Sequence, residues 1–386
     1  MVPKQTKATG IIVGGSGLIG GTLVHYFNTH HPDDISILSP NSKKMSLEKA
    51  DEIKHYICQW KPDFIINSAI AAIDADPQLA YNINYIGNIN LARICRELQI
   101  PYIFISSAAV LPSGKQIGED DQLKLQPTLS NYAKSKLMGE LTLQHMAKTE
   151  GLDFTAIRLA VVYGKHDHKT QGFHRMLYSI ADGAMPLYLT AKGVQHSYSN
   201  AKKIPFFIDH ILQNRKEFSG QFYNFADPEP VELVQLIKTI KSYLGVAKPR
   251  NVYLPLATAK IGVNCLRLLL KVLLRVGIDA RMPAELMFLQ QFYQSQTLLT
   301  DKLQNSSFQD PWPEQTIYSK LPEIIEYYIS RWEQRNLITG FNDDFFVPFE
   351  ANLSLFMENP EELLKQIHSK ERKIFCQYPD GKERKN

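Results

Sequence analysis

Five short apolar runs, each bounded by Gly, Pro, Asp or Ser and separated by longer helical stretches, constrain the first 165 residues more than any other feature. The runs are Gly10–Val13, Ile35–Leu38, Phe64–Asn67, Tyr102–Ser106 and Thr155–Leu159. Between them lie the helical stretches Leu18–Thr29, Ser46–Trp60, Leu79–Leu98 and Tyr132–Glu150, the last with Ala133, Leu137 and Leu141 spaced along one face. Strands alternating with longer helices are the rhythm of βαβ units, so the expected class is α/β with a doubly wound parallel sheet. Residues 8–165 are assigned to that sheet domain. Residues 166–338 are assigned to a smaller, mainly helical region with helices near Gly172–Ala184 and Val231–Leu244 and some return to the sheet through Gln221–Phe225. Residues 339–386 read as a peripheral extension ending in a basic tail.

Composition excludes several classes. With 44% hydrophobic residues in 386, the chain has enough apolar material for a core. Lys+Arg 43 against Asp+Glu 39 leaves a net charge of +4, far from the excess of a dedicated nucleic-acid binder. From Lys365 to Asn386, seven basic residues face three acidic ones, which accounts for that whole surplus. Cys58, Cys95, Cys265 and Cys376 lie far apart without a CxxC pair, so neither a metal site nor a disulfide framework is indicated, and a cytoplasmic location is expected. Lys4 and Lys7 precede a glycine-rich run unsuited to a signal peptide. No stretch reaches the roughly 18 uncharged apolar residues that would cross a bilayer.

The sequence VGGSGLIGG places Gly14, Gly17 and Gly20 directly after the first strand and at the opening of the first helix. A backbone that turns sharply here brings helix N–H groups against a pyrophosphate, and side chains would block the approach. This is the dinucleotide loop of a Rossmann sheet, with Ser16, Leu18 and Ile19 as its other residues. The second strand ends in ILSPNSKK with no acid for the ribose hydroxyls. Ser39, Asn41, Lys43 or Lys44 would receive a 2′-phosphate instead, which favours NADP(H) over NAD(H), although solvated loop lysines are an equal reading.

Tyr132 and Lys136 sit one helical turn apart in NYAKSKLMGE and leave the same face. An ammonium beside a phenol favours the phenolate, and each pKa unit is worth about 1.4 kcal/mol. Upstream, IFISSAAVL presents Ser106 and Ser107 at a strand's carboxyl edge, where open α/β sheets bind ligands. A serine hydroxyl there hydrogen-bonds a carbonyl or alcohol while Tyr132 moves the proton.

On GGSGLIG, KPDFIINSA, AYNINYIGNINL, ISSAAVL, NYAKSKLMGE, IRLAVVYG and GQFYNFADPEPVEL, the chain resembles the extended short-chain dehydrogenase/reductases, the NAD-dependent epimerases and dehydratases. Its N-terminal half is most similar to the dTDP-4-dehydrorhamnose reductase branch. The resemblance implies that Asn67, Ser68 and Ala69 line the cofactor and that Asn84 braces the site. It also implies that Ser107, Tyr132 and Lys136 are catalytic, with Ser106 beside them, and that Val161 and Val162 lie near the nicotinamide. An NAD(P)-dependent oxidoreductase or epimerase interconverting an alcohol and a ketone follows, with a nucleotide-activated sugar as substrate and a homodimer as assembly. QHSYSNAKKIPFF departs from the family, with Lys202 and Lys203 where acids often stand. Arg267, Lys271 and Arg275 form a basic stripe on a Leu/Val helix around 263–276. That helix either packs inward or rests on a membrane surface, where the substrate would be a hydrophobic alcohol. A non-catalytic nucleotide-binding scaffold is the remaining alternative.

Overall fold

The computed structural model describes residues 7–73, 75–169, 171–181, 187–188, 190–246, 250–275, 291–334 and 357–368. Six strands, β1 (Ala8–Val13), β2 (Ile35–Leu38), β3 (Phe64–Asn67), β4 (Tyr102–Ser107), β5 (Phe154–Leu159) and β6 (Gln221–Phe225), form a sheet in the order β2-β1-β3-β4-β5-β6. Every neighbouring pair is parallel. A parallel sheet needs both faces covered, and β3 and β5 are buried at every residue. On one face Ile11, Ile65, Phe104 and Ala156 pack against α2 (Ala50–Trp60), α3 (Gly87–Leu98) and α4 (Asn131–Glu150) through Ile53, Leu91 and Leu143. On the other, Ile12, Ile66, Ile105 and Ile157 pack against α1 (Leu18–His30) and α5 (Ile204–Gln213) through Leu23, Phe27 and Phe207.

Three departures from the periodicity have local causes. α2 begins at Ala50 rather than Ser46, because Ser46 opens a turn and donates its N–H to the Glu52 carboxylate at 3.1 Å. The expected helix Leu79–Leu98 is π-helical over Ala80–Ile86 before it becomes α3, a widening that often marks functional sites. Val231–Glu232 is a strand rather than the first turn of a helix. It pairs with Gln195–His196, in a small sheet completed by Gln296–Leu298 and Gly114–Ile117. Strands of two to four residues are too short to show a period.

The chain divides into two compact units. The first, through His174, also takes in Val194–Glu232 and Gln294–Ser319, two segments from within the 166–338 region, and holds the whole six-stranded sheet. The second contains the helices Leu233–Leu244, Leu256–Arg275 and Pro360–His368 and the parallel pair Leu187–Tyr188 with Arg250–Tyr253. The side chains of Arg267, Lys271 and Arg275 lie outside the described residues. Among the described residues, no helix is long and apolar enough to cross a membrane.

The β1–α1 connection is the tightest point of the fold. Gly14 takes φ +87°, and a Cβ there would stand 2.7 Å from the Ala69 nitrogen. A Cβ on Gly20 would overlap the Gly14 carbonyl and lie 2.7 Å from Ser68 Oγ. Glycine is therefore demanded by backbone meeting backbone between β1 and β3. Gly20→Ala should cost about 1–3 kcal/mol in urea unfolding, because the obstacle is main chain that cannot move aside. Gly262→Ala, with nothing within 4 Å inside a helix, should instead gain about 0.5–1 kcal/mol.

Candidate active site

From β1 the chain passes to β2 on one side and then returns to place β3 on the other, which leaves a crevice at the carboxyl ends of β1 and β3. α1 starts in that crevice. Gly17 is its N-cap, with φ −83° and ψ 173°, and no side chain caps the first turn. The leading N–H groups and the positive end of the helix dipole therefore face outward together. A Cβ on Gly17 would meet only the Gly14 carbonyl, at 3.4 Å, so the approach to these N–H groups is open. Ser16 is exposed beside them, while Leu18 and Ile19 are half-buried. The cradle fits the pyrophosphate of a dinucleotide.

Around the cradle, several side chains expected to touch a cofactor are occupied by the protein itself. Ser68 donates both Oγ–H and N–H to the Val13 carbonyl, at 2.8 and 3.0 Å, which fixes the tip of β3 to β1. Asn67 turns inward: its Nδ2 donates to the Tyr102 hydroxyl at 2.8 Å and its Oδ1 accepts from the Ala69 N–H at 3.2 Å. Ser39 donates to the Ile12 carbonyl at 2.9 Å and packs where a Gly15 side chain would be. Lys43 and Lys44 are exposed on a turn whose N–H groups Asn41 Oδ1 accepts. Asn84, in the π-helical stretch, accepts from the Ala71 N–H at 2.7 Å and donates to Ser135 Oγ at 3.2 Å. It thereby ties the loop after β3 to the first turn of α4. Val161 is exposed and Val162 half-buried just beyond β5.

Ser107 and Tyr132 are brought together. Ser107 ends β4, Ser130 caps α4 by accepting from the Ala133 N–H, and the Tyr132 phenol lies near enough to the Ser107 side chain for the serine to act on its pKa. Burial pushes the phenol above its usual range, and the Ser107 side chain pulls it partly back. The Lys136 charge is not among the causes, contrary to the expectation that it would favour the phenolate. The reason is geometric: Lys136 is 1% exposed, donates to the Ile105 carbonyl at 2.7 Å and lies over the Phe104 ring. Burial lowers its own pKa to about 7, with the Glu140 charge acting in the opposite sense.

Ser106 is not at the cofactor face. Its Oγ donates to Glu140 Oε1 at 2.5 Å, beneath the site. Glu140 is one turn beyond Lys136 and is held by Arg158 of β5 through Nε at 3.0 Å and Nη2 at 2.8 Å. Gln122 donates to the same carboxylate at 2.7 Å, and Arg158 Nη1 reaches the Glu119 carbonyl at 2.5 Å. Sequence reasoning missed this pair. Its signal was a charged residue at Arg158 inside an otherwise apolar strand, which in a buried position demands a partner.

A second buried charge cluster lies past β5 and β6. Tyr163 donates to Asp227 Oδ2 at 2.7 Å, and Lys203, 2% exposed, donates to Asp310 Oδ2 at 2.7 Å and stands 4.0 Å from Asp227 Oδ1. The family's acid position is thus filled by a cation whose counter-charges are Asp227 and Asp310. Burial pushes the Asp227 carboxyl up to about 6, held back by Tyr163 and Lys203.

An anion cradle at the switch point and a neighbouring serine and tyrosine on the same carboxyl edge define the class: a dinucleotide-binding α/β protein of the doubly wound kind. Comparison with known proteins narrows it. A model of the NAD dependent epimerase/dehydratase family matches residues 11–225, and the chain belongs to that family. UDP-glucose 4-epimerase of Mycoplasma pneumoniae is 25% identical over 184 residues, which cover 42% of this chain and 54% of that protein. The chain thus spans about half the length of that relative. Among solved structures, dTDP-glucose 4,6-dehydratase of Bacillus anthracis in complex with NAD has a TM-score of 0.60 at 18% identity, covering 84% of this chain and 98% of that one. dTDP-4-dehydrorhamnose reductase of the same organism, in complex with NADP, has a TM-score of 0.59 at 17% identity, covering 84% and 100%. Likeness at these identities is likeness of fold.

The raised Asp227 pKa has a signed consequence. Between pH about 4 and 6 the native carboxyl holds a proton that the unfolded chain has released, so its stabilising contribution is full below pH about 4 and is lost as pH rises through about 6. Asp227→Asn should flatten the fall in unfolding free energy across that window in urea titrations. A slope equal to that of the parent protein would refute the assignment.

Proposed function

We propose that the chain is an NAD(P)-dependent oxidoreductase or epimerase that interconverts a secondary alcohol and a ketone on a nucleotide-activated sugar. The observation that carries this is the meeting of Ser107, at the end of β4, with the Tyr132 phenol, at the start of α4, beside the open cradle of α1. Gly14, Gly17 and Gly20 with the α1 N-terminus would hold the pyrophosphate, and Val161 and Val162 would bound the nicotinamide. When bound, the nicotinamide supplies the acceptor or donor of hydride. Tyr132 Oη gives the proton to a substrate carbonyl oxygen or takes it from the alcohol. Ser107 Oγ holds that same oxygen beside the phenol. Lys136, whose pKa burial lowers to about 7, would hold the nicotinamide ribose. Glu140 and Arg158 keep the floor of the site rigid and charge-balanced.

The absence of an acid at Ser39 and the exposed Lys43 and Lys44 support NADP(H) over NAD(H). Relatives named for UDP- and dTDP-sugars support the substrate class. Incubation with UDP-glucose and dTDP-glucose and each cofactor, followed by mass spectrometry, should reveal turnover. Tyr132→Phe should lower it at least about 100-fold while leaving NADPH affinity unchanged, and the same titrations should rank NADPH above NADH. Full turnover in Tyr132→Phe would remove the phenol from the mechanism.

A second reading draws on the helix Leu256–Arg275, where Ile261 is 62% and Leu268 66% exposed. Two apolar side chains seven residues apart in solvent suit a membrane surface, and with it a hydrophobic alcohol as substrate. Co-sedimentation with anionic liposomes, lost on Ile261→Ser with Leu268→Ser, is the expected result. Equal binding by the double variant would dismiss this reading.

A further inference from the structure

We propose that Gln296, in a segment beyond the matched residues 11–225, is a positioning residue for the Ser107 hydroxyl. The proposal deepens the reading of Ser107 and Tyr132 as the proton-handling pair and rests on it. Ser107 Oγ accepts from the Ala109 N–H at 3.2 Å, so the direction of the hydroxyl depends on a peptide two residues downstream. That peptide lies in the tight turn Ala108–Val110, closed by the Leu111 N–H on the Ala108 carbonyl at 3.0 Å. The turn packs on Leu137 of α4, and the Leu123 N–H donates to the Val110 carbonyl at 2.9 Å. Gln296 Nε2 supplies its remaining tie, donating to the carbonyls of Ala108 at 3.0 Å, Leu111 at 3.2 Å and Pro112 at 3.1 Å. An amide carries two hydrogens, so three carbonyl oxygens converge on them and share. Without the donor, those three dipoles would face one another at close range.

The amide can act this way because its own backbone is fixed on both edges. On one side, Gln296 and Leu298 pair with Gly114 and Ile117, with a shift of register between the two pairs. The Gly114 N–H donates to the Ser295 carbonyl at 2.7 Å, and the Gln116 N–H donates to Thr297 Oγ1 at 2.8 Å. On the other side, the Ser197 N–H donates to the Gln296 carbonyl at 3.1 Å, and the Leu298 N–H donates to Ser197 Oγ at 2.9 Å. A strand from late in the chain thus serves as a fixed post from which one side chain reaches the serine loop.

The test compares Gln296→Met, which keeps the shape and loses the donor, with Thr239→Val, which breaks an exposed bond to the Gln235 carbonyl within its own helix. Hydrogen–deuterium exchange of the peptide covering residues 106–112 is read on the full chain. Turnover of UDP-glucose or dTDP-glucose and NADPH affinity are read alongside. Gln296→Met should quicken exchange in that peptide about tenfold or more and lower kcat roughly 10- to 100-fold, with NADPH affinity unchanged. Thr239→Val should leave that exchange and kcat as they are. Gln296→Asn, which keeps the amide on a shorter stem, should fall between, and it decides the matter if the Met variant does not fold. Unchanged exchange in the 106–112 peptide overturns the clamp. Quickened exchange without a fall in kcat, in an enzyme whose parent is active, shows that the serine does not depend on the clamp and also overturns the proposal. If the parent turns over no nucleotide sugar, the sugar reading fails by itself, and the exchange result still decides whether Gln296 holds the loop.

Discussion

Among the described residues, the ion pair between Arg158 and Glu140 is the most deeply buried. Both side chains are almost wholly excluded from solvent, and a charge taken out of water is tolerated only when its partner and its hydrogen bonds are complete. Here each charged atom has a partner: Glu140 accepts from Arg158, Ser106 and Gln122, and Arg158 Nη1 donates to the Glu119 carbonyl. Removing one partner of such a pair typically costs about 3–5 kcal/mol. The pair joins α4 to β5 and so fixes the helix that carries Tyr132 and Lys136 against the strands that carry Ser107.

That arrangement sets the electrostatics of the site. Lys136 is stripped of water by Phe104 and its neighbours and would lose its proton more readily still without the Glu140 carboxylate below it. Tyr132 is raised by the same burial and relieved by Ser107 rather than by the lysine. The tyrosine and the lysine therefore begin in separate local environments, although they leave one face of one helix. Spacing along a helix gives proximity of backbone, and the terminal atoms go where hydrogen-bond partners are nearest.

Much of the sheet was legible in the residues. Each of β1 to β5 falls on a mainly apolar run, because a parallel sheet covered on both faces draws its strands chiefly from apolar residues. The glycines at 14, 17 and 20 were legible as well, since only a side-chain-free turn permits the contact between the Gly14 loop and Ala69. Ser106, Asn67 and Ser39 were harder. A polar residue at a strand end reads as a ligand contact, yet each of these serves an internal network with Glu140, Tyr102 or Ile12. Lys203 reversed an expected charge, and only its contact with Asp310 shows how the reversal is balanced.

By itself, the order of residues determined the alternation of strands and helices, the glycine turn and the presence of a serine, a tyrosine and a lysine at suitable intervals. These are local matters, governed by side-chain size, backbone freedom and period along the chain. Tertiary structure decided which side chains face the crevice and which are consumed beneath it, and it brought Gln296 and Asp310 to an edge built mainly from the first half of the chain. The physical reason is that partners such as Arg158 with Glu140, or Gln296 with the Ala108 carbonyl, are separated widely along the chain. A hydrogen bond between them has no signature at either end until the sheet has closed the distance.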